Sequence, residues 1–495
     1  MFQDVIIPMS DNQDSTQNDK SESRDIPTAS GTFQAASIPA SPPRFISVEQ
    51  LMDASNLLAN IKLAHDISVD DNFELAPEQP PEGSLEKRVA ETMRRAFWDM
   101  LAEQLAQEPP EYSQALSLIQ DIKQMLSKCI LPHQHSLRNH INEVMDLQLI
   151  KQKIENDAFD ISYYANFTID FMGRMCAPCR SERVAKLKEL TDVVSIFREI
   201  LAVLEVMVLD MANFTISVMR PHIKQQSVTY ERSKFEEVRR TQEAAGIDGL
   251  EYTREWLERS YDVVEDHVEG QAMYGTTLTD VQGTPVNVLH GAYIELLNWE
   301  HTDYPETCLV DQERFRQISY NLRKLTLTSS VLLVALSAPA DRLSSHTQFR
   351  DKLKADILAI LSDVAEAEYK EKVVNISEHL ALEVNKQLQV LGHPQLTQQQ
   401  LTEYQQSIRA VVEPNHAVYS LLRRRIMTFI FQSLGHSSSQ PLQLPGGIGA
   451  VSDDIASYCG KFLKLCSYNK AVFGATYSDI IASLMNMTDL SPRTK

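Results

Sequence analysis

An all-α protein, a large multi-helix assembly behind a disordered N-terminal tail, follows from three observations. Only 16 glycines and 21 prolines occur in 495 residues. Leu, Ala, Glu, Gln, Lys and Met dominate, and these are side chains that lose little freedom in a helix. Apolar residues recur at three- and four-residue steps through most of the chain after residue 43, while two-residue alternation is scarce.

Residues 1–43 are rich in Ser, Asp, Gln and Thr and carry no apolar period. Such a segment buries too little surface to offset the entropy of ordering it. It ends at Ser41-Pro42-Pro43-Arg44, an extended hinge in which Ser41 also fits a proline-directed phosphorylation site. From Ser47 the helical pattern predicts helices over 47–65, 84–106, 111–131, 136–156, 159–176, 180–190 and 191–240. Prolines punctuate them: Pro77, Pro80 and Pro81 follow the first, Pro109-Pro110 the second and Pro132 the third. Pro221, inside the longest run, is expected to kink that helix or start a new one.

A short helix over 248–268 gives way to Gly270, Gly275, Gly283 and Pro285, a loop-like stretch. Periodicity returns over 287–299, 310–337, 340–363, 366–391, 397–410, 414–434, 450–468 and 471–487. The expected division is a tail at 1–43, an N-terminal helical lobe at 44–240, an irregular connector at 241–286 and a C-terminal helical lobe at 287–495.

Charge narrows the function. With 67 acids against 47 bases the formal charge is −20, which opposes broad nucleic-acid binding and attraction to anionic lipid. The longest apolar run, Leu325 to Ala338, is interrupted by Thr326, Thr328, Ser329 and Ser330, and falls short of the roughly 20 residues a bilayer span needs. It reads as a buried core helix. Six cysteines without framework spacing suit a reducing, cytoplasmic setting.

Few residues group into a chemical motif. Cys176-Ala177-Pro178-Cys179 could form a redox pair or half a zinc site, but no second pair stands at ligand spacing. His133, His135, His140 and Glu143 could supply a metal half-site, again without a matching half. These two groups define the alternative reading, an unrecognised enzyme or metal or redox protein. Gly446-Gly447-Ile448-Gly449 lacks the Lys-Ser or Lys-Thr of a phosphate loop. No catalytic, cofactor or metal residue is assigned.

The most informative stretch lies in the long helix. Asp210, Asn213, Ser217, Arg220 and Lys224 fall at steps of 3, 4, 3 and 4, one polar stripe along one side. Phe197, Leu201, Leu204, Val208, Met211, Thr215 and Val218 form an apolar stripe expected to face a core. The polar stripe suits a network between helices, a partner-recognition face or a solvated face.

Several of these residues also carry a resemblance. Leu63-Ala64-His65-Asp66-Ile67, Ala96-Phe97-Trp98-Asp99, Leu137-Arg138-Asn139, Met175-Cys176-Ala177-Pro178, Asp210-Met211-Ala212-Asn213-Phe214 and Arg220-Pro221-His222 occur in order. Glu383-Val384-Asn385-Lys386, Pro445-Gly446-Gly447, Asn469-Lys470 and Phe473-Gly474 follow. Together they resemble the T-complex protein 11 family, with Asp66 where Glu is the commoner spelling. The resemblance implies an all-α intracellular protein without known catalysis. It further implies links to cyclic-AMP and protein kinase A signalling, to sperm capacitation and motility, and to formins and spindle microtubules. The expected role is a non-enzymatic adapter whose partners are other proteins, cytoplasmic, with cytoskeleton or spindle association within its expected range, its tail tuned by phosphorylation.

Overall fold

A computed structural model describes residues 60–77, 80–266, 285–337, 340–362, 364–413, 415–435 and 443–490. Ser41, the expected tail and the predicted helix start at 47 lie outside them. Among the described residues every regular element is helical.

The first helix, α1 (60–69), runs into an irregular strap over 70–77. Then come α2 (Leu85–Leu105), α3 (Ser113–Lys128), α4 (His135–Val144), α5 (Leu147–Glu155), α6 (Ile161–Met175), α7 (Ser181–Lys186) and α8 (Val193–Ala244). The run predicted over 136–156 is two helices, because the Asp146 side chain accepts from the amides of Gln148 and Leu149 and starts a new one. α8 is 52 residues long and passes through Pro221 as one helix, about 78 Å at 1.5 Å per residue. Pro221 lacks an amide for the Ser217 carbonyl. Both residues are exposed, so that carbonyl can turn to water and the helix continues.

An N-terminal core gathers Trp98, Leu118, Ile122, Phe171, Phe197, Ile200 and Leu204 from α2, α3, α6 and α8. The predicted apolar stripe of α8 is buried here at Phe197 and Leu204, but Thr215 and Val218 are exposed. Beyond Val208 the helix has outrun that core, and its lower half turns another side to the C-terminal helices.

Those helices are α9 (Glu251–Asp266), α10 (Pro285–Leu296), α11 (Gln312–Ala335), α12 (Thr347–Ile360), α13 (Tyr369–Val390), α14 (Gln398–Ala410), α15 (Ala417–Gly435) and α16 (Ser452–Leu490). The Glu306 carboxylate accepts from the amides of Tyr252 and Thr253 and so caps α9. The two helices predicted over 450–487 are the single α16, continuous through Asn469. That buried amide is fully used: Nδ2 donates to the Thr307 carbonyl, while Oδ1 accepts from Tyr293 and Tyr477.

The apolar run from Leu325 is a core helix as far as Ala335, and no described helix is long and apolar enough to cross a membrane. Thr326, Thr328 and Ser330 return their hydroxyls to carbonyls one turn back. Ser329 instead donates to the Gly447 carbonyl at 2.9 Å. Gly447 has φ +95°, and a Cβ there would stand 2.8 Å from Leu422 Cδ2. Gly447→Ala is therefore expected to lose about 2–3 kcal/mol, combining backbone strain with a core clash; urea unfolding of the variant checks it.

Candidate functional site

The polar stripe of α8 meets the strap. Asn213 holds both main-chain polar groups of Leu75, accepting from its amide at 2.7 Å and donating to its carbonyl at 3.1 Å. Arg220 spreads its guanidinium over three backbone carbonyls, those of Ile67 (3.3 Å), Asp70 (2.6 Å) and Phe73 (2.8 Å). Lys224 pairs with Asp71, as does Lys464 of α16 at 2.6 Å. Hydrogen bonds from those two ammonium groups hold the Asp71 carboxyl down at about 2. Asp210 points away from the strap and takes a two-pronged contact from Arg180, at 3.0 and 3.2 Å. Ser217 is exposed. The stripe thus divides: Asn213, Arg220 and Lys224 hold the strap, while Asp210 ties α8 to the turn after α6.

Where α1 ends, a buried charge cluster lies behind the strap. His65 Nδ1 is 3.1 Å from Glu231 of α8, and His65 Nε2 is 2.9 Å from both carboxylate oxygens of Asp311. Exposures are 4% for His65, 4% for Glu231 and 2% for Asp311. Arg314 bridges Asp311 at 2.9 Å and Asp66 at 2.5 Å. The Tyr468 hydroxyl donates to Glu231, and the Tyr468 ring meets the His65 ring edge-on at 4.9 Å. Four helices or their ends converge on one imidazole: α1, α8, the 3-10 turn before α11, and α16.

Burial, the largest single influence, pulls the His65 pKa down. The hydrogen bonds to Asp311 and Glu231, reinforced by their charges, overcome it and raise the pKa to about 9. The contrast is His290, also buried, which is pushed down to about 4 by burial and by the charge of Lys470. His65 is therefore an imidazolium at neutral pH with both N–H groups donating.

A folded pKa above the unfolded value of about 6.5 means that the native state holds the extra proton. The stabilisation is complete below about 6.5 and is lost as pH rises through about 9. Unfolding free energy is thus expected to fall by roughly 3 kcal/mol over that window. Denaturant titrations at several pH values, repeated on a His65→Gln variant that should flatten the fall, check this.

Chemically the cluster can hold charge and fix helices against one another. Its three central groups are sealed and mutually satisfied, which leaves no face for a substrate. The sequence motifs weighed for metal or redox chemistry stand elsewhere. Cys176 caps the end of α6 and Cys179 lies in the following 3-10 turn, both as free thiols. The His140 ring packs on Phe167 at 5.4 Å. Among the described residues no group of three His, Cys, Asp or Glu could hold a metal ion. His65 sits within the marked stretch Leu63–Ile67, but Asp311 and Arg314 carry no such signal.

A family model described as T-complex protein 11 matches residues 63–482. The chain is 31% identical over 463 residues to T-complex protein 11-like X-linked protein 2 of Homo sapiens, covering 89% of this chain and 91% of that protein. It is 32% identical over 460 residues to T-complex protein 11 homolog of Homo sapiens, with 90% of each covered. T-complex protein 11 of Mus musculus is 30% identical over 448 residues, covering 88% of this chain and 78% of that one. No solved structure matches the chain.

Proposed function

Because the chain belongs to the T-complex protein 11 family, we propose that it acts as a non-enzymatic helical adapter in signal transduction, with α8 as its rigid strut. One observation supports this most. The strap occupies one side of α8, while Phe214, Val218 and Met219 around Ser217 are 52, 60 and 44% exposed. Large apolar side chains held out on a braced helix suit contact with another protein. Asn213, Arg220 and Lys224 serve as the brace, and Asp210 anchors the strut to the turn after α6.

The family resemblance extends the proposal to cyclic-AMP and protein kinase A signalling, to a cytoplasmic setting and to cytoskeletal or spindle partners. The tail at 1–43 acts as an arm tuned by phosphorylation at Ser41. Two helical lobes, 44–240 and 287–495, joined through 241–286, give the adapter its extent.

The test is crosslinked affinity purification of the full chain beside Phe214→Asp/Val218→Asp. A surface change should leave stability within about 0.5 kcal/mol. Loss of a defined set of partners from a variant that melts like wild type supports the adapter reading. An unchanged set removes α8 as the contact face.

A further inference from the structure

Round the helix from the charge cluster, α11 presents a different surface. At about 100° per residue, Arg316, Tyr320 and Arg323 lie roughly opposite Arg314. They line a pocket of about 280 Å³ together with Trp299, His301 and Glu366. Glu300 also lines it and is exposed. The pocket is built from the end of α10, the turn that follows, one face of α11 and the 3-10 turn Glu366–Glu368.

Unmet donors gather at this place. Trp299 Nε1 and Arg323 Nε, both on pocket-lining residues, are buried and find no hydrogen-bond partner among the described residues. Nearby is Arg423 of α15, one of whose terminal nitrogens donates to the Asn298 side chain while Nη1 is buried without an acceptor. Burial, helped by the neighbouring charge of Arg323, presses the Arg423 pKa down against the opposing influence of Tyr419 and Glu366. Glu366 supplies one carboxylate, 2.8 Å from Arg323 Nη1 and itself half exposed. The lining is also aromatic: the Trp299 ring carries Arg259 on one face at 5.3 Å, and Tyr320, between the two arginines on α11, tilts against Tyr369. Buried donors that lack partners mark a place where an acceptor is wanted, and clustered guanidiniums favour a planar or tetrahedral oxyanion.

We propose that this pocket binds a phosphomonoester, its oxygens on Arg316 and Arg323 and its organic group against Trp299 and Tyr320. Glu366 already offers Arg323 a single negative charge, so an entering ligand must outcompete a tethered carboxylate. A dianion does this where a monoanion does not. Glu366 is then an internal competitor that leaves Arg323 when ligand enters. A group about the size of phenyl phosphate fits the volume. This site is independent of the adapter reading, since none of its residues belongs to α8.

The experiment is calorimetric titration of the full chain with phenyl phosphate, inorganic phosphate and benzoate, with melting temperatures taken alongside. Saturable binding of phenyl phosphate at least tenfold tighter than benzoate is expected. Arg316→Gln and Arg323→Gln should each weaken it tenfold or more. Glu366→Gln should tighten it several-fold, a gain that loss of a structural ion pair would not produce. If inorganic phosphate binds as well as phenyl phosphate, the phosphoryl group alone is read and free phosphate is the source. Tighter phenyl phosphate assigns an aryl ester. Absence of saturable binding at millimolar ligand overturns the proposal, as does wild-type affinity in both arginine variants or weaker binding in Glu366→Gln.

Discussion

His65→Leu is expected to cost 3–5 kcal/mol at pH 7, the largest loss for any single substitution in this chain outside the apolar cores. The side chain removed is the shared cation of two carboxylates, Glu231 and Asp311, both nearly sealed from water. Arg314 remains for Asp311 and the Tyr468 hydroxyl for Glu231, but neither lies between the two acids. The cost is one of leaving charge uncompensated, not of losing apolar contact. Neutralising the acids should therefore repair it. His65→Leu combined with Glu231→Gln and Asp311→Asn is expected to recover more than half of the lost stability, a coupling read from a mutant cycle in urea. An additive result would mean that the three side chains do not act as one unit.

The second large effect is expected at Arg220. Its guanidinium gathers the carbonyls of Ile67, Asp70 and Phe73, so the strap's path depends on one planar fork. Hydrogen bonds to a charged group contribute about 1.5–3 kcal/mol each when buried, and less at the exposed Asp70 carbonyl. Arg220→Ala should lose about 2–3 kcal/mol in total. Arg220→Lys should recover little, because an ammonium cannot reach three fixed carbonyls with the geometry of the fork. Amide exchange in 66–75 should accelerate in both variants, whereas exchange in the α2–α6 core should not.

The helical architecture was legible because apolar spacing and proline punctuation act locally. Its errors have local causes as well. The break at Asp146 interrupts a run whose apolar phase continues on both sides, so only the cap reveals it. Pro221 reads as a kink or the start of a new helix; no new helix starts there, because α8 continues through it. The gap left between 468 and 471 is helical because Asn469 is buried against Tyr293, Tyr477 and Thr307, contacts supplied from outside its own helix and from two turns along it.

The site was legible by half. Steps of 3 and 4 put Asn213, Arg220 and Lys224 on one side of a helix, but their partners are largely backbone groups of an irregular strap about 140–150 residues away, and every residue offers such groups. Thr215 and Val218 continue the apolar phase of α8 past the point where a core covers it, since periodicity does not say how far the neighbouring helices extend. His65 lay inside a marked motif. That it meets Asp311, 246 residues further on, is a consequence of tertiary packing alone.

The central claim is that a buried imidazolium joins α1, α8, the approach to α11 and α16. Its most direct test is the pH titration of the His65 ring by NMR with side-chain-labelled histidine, the resonance assigned by its loss in His65→Gln. The structure predicts a ring that remains protonated through neutral pH and titrates near 9. A His65 ring that titrates at or below 6.5 would contradict the claim, because the cluster would then hold two carboxylates around a neutral side chain and could not brace the four elements as described.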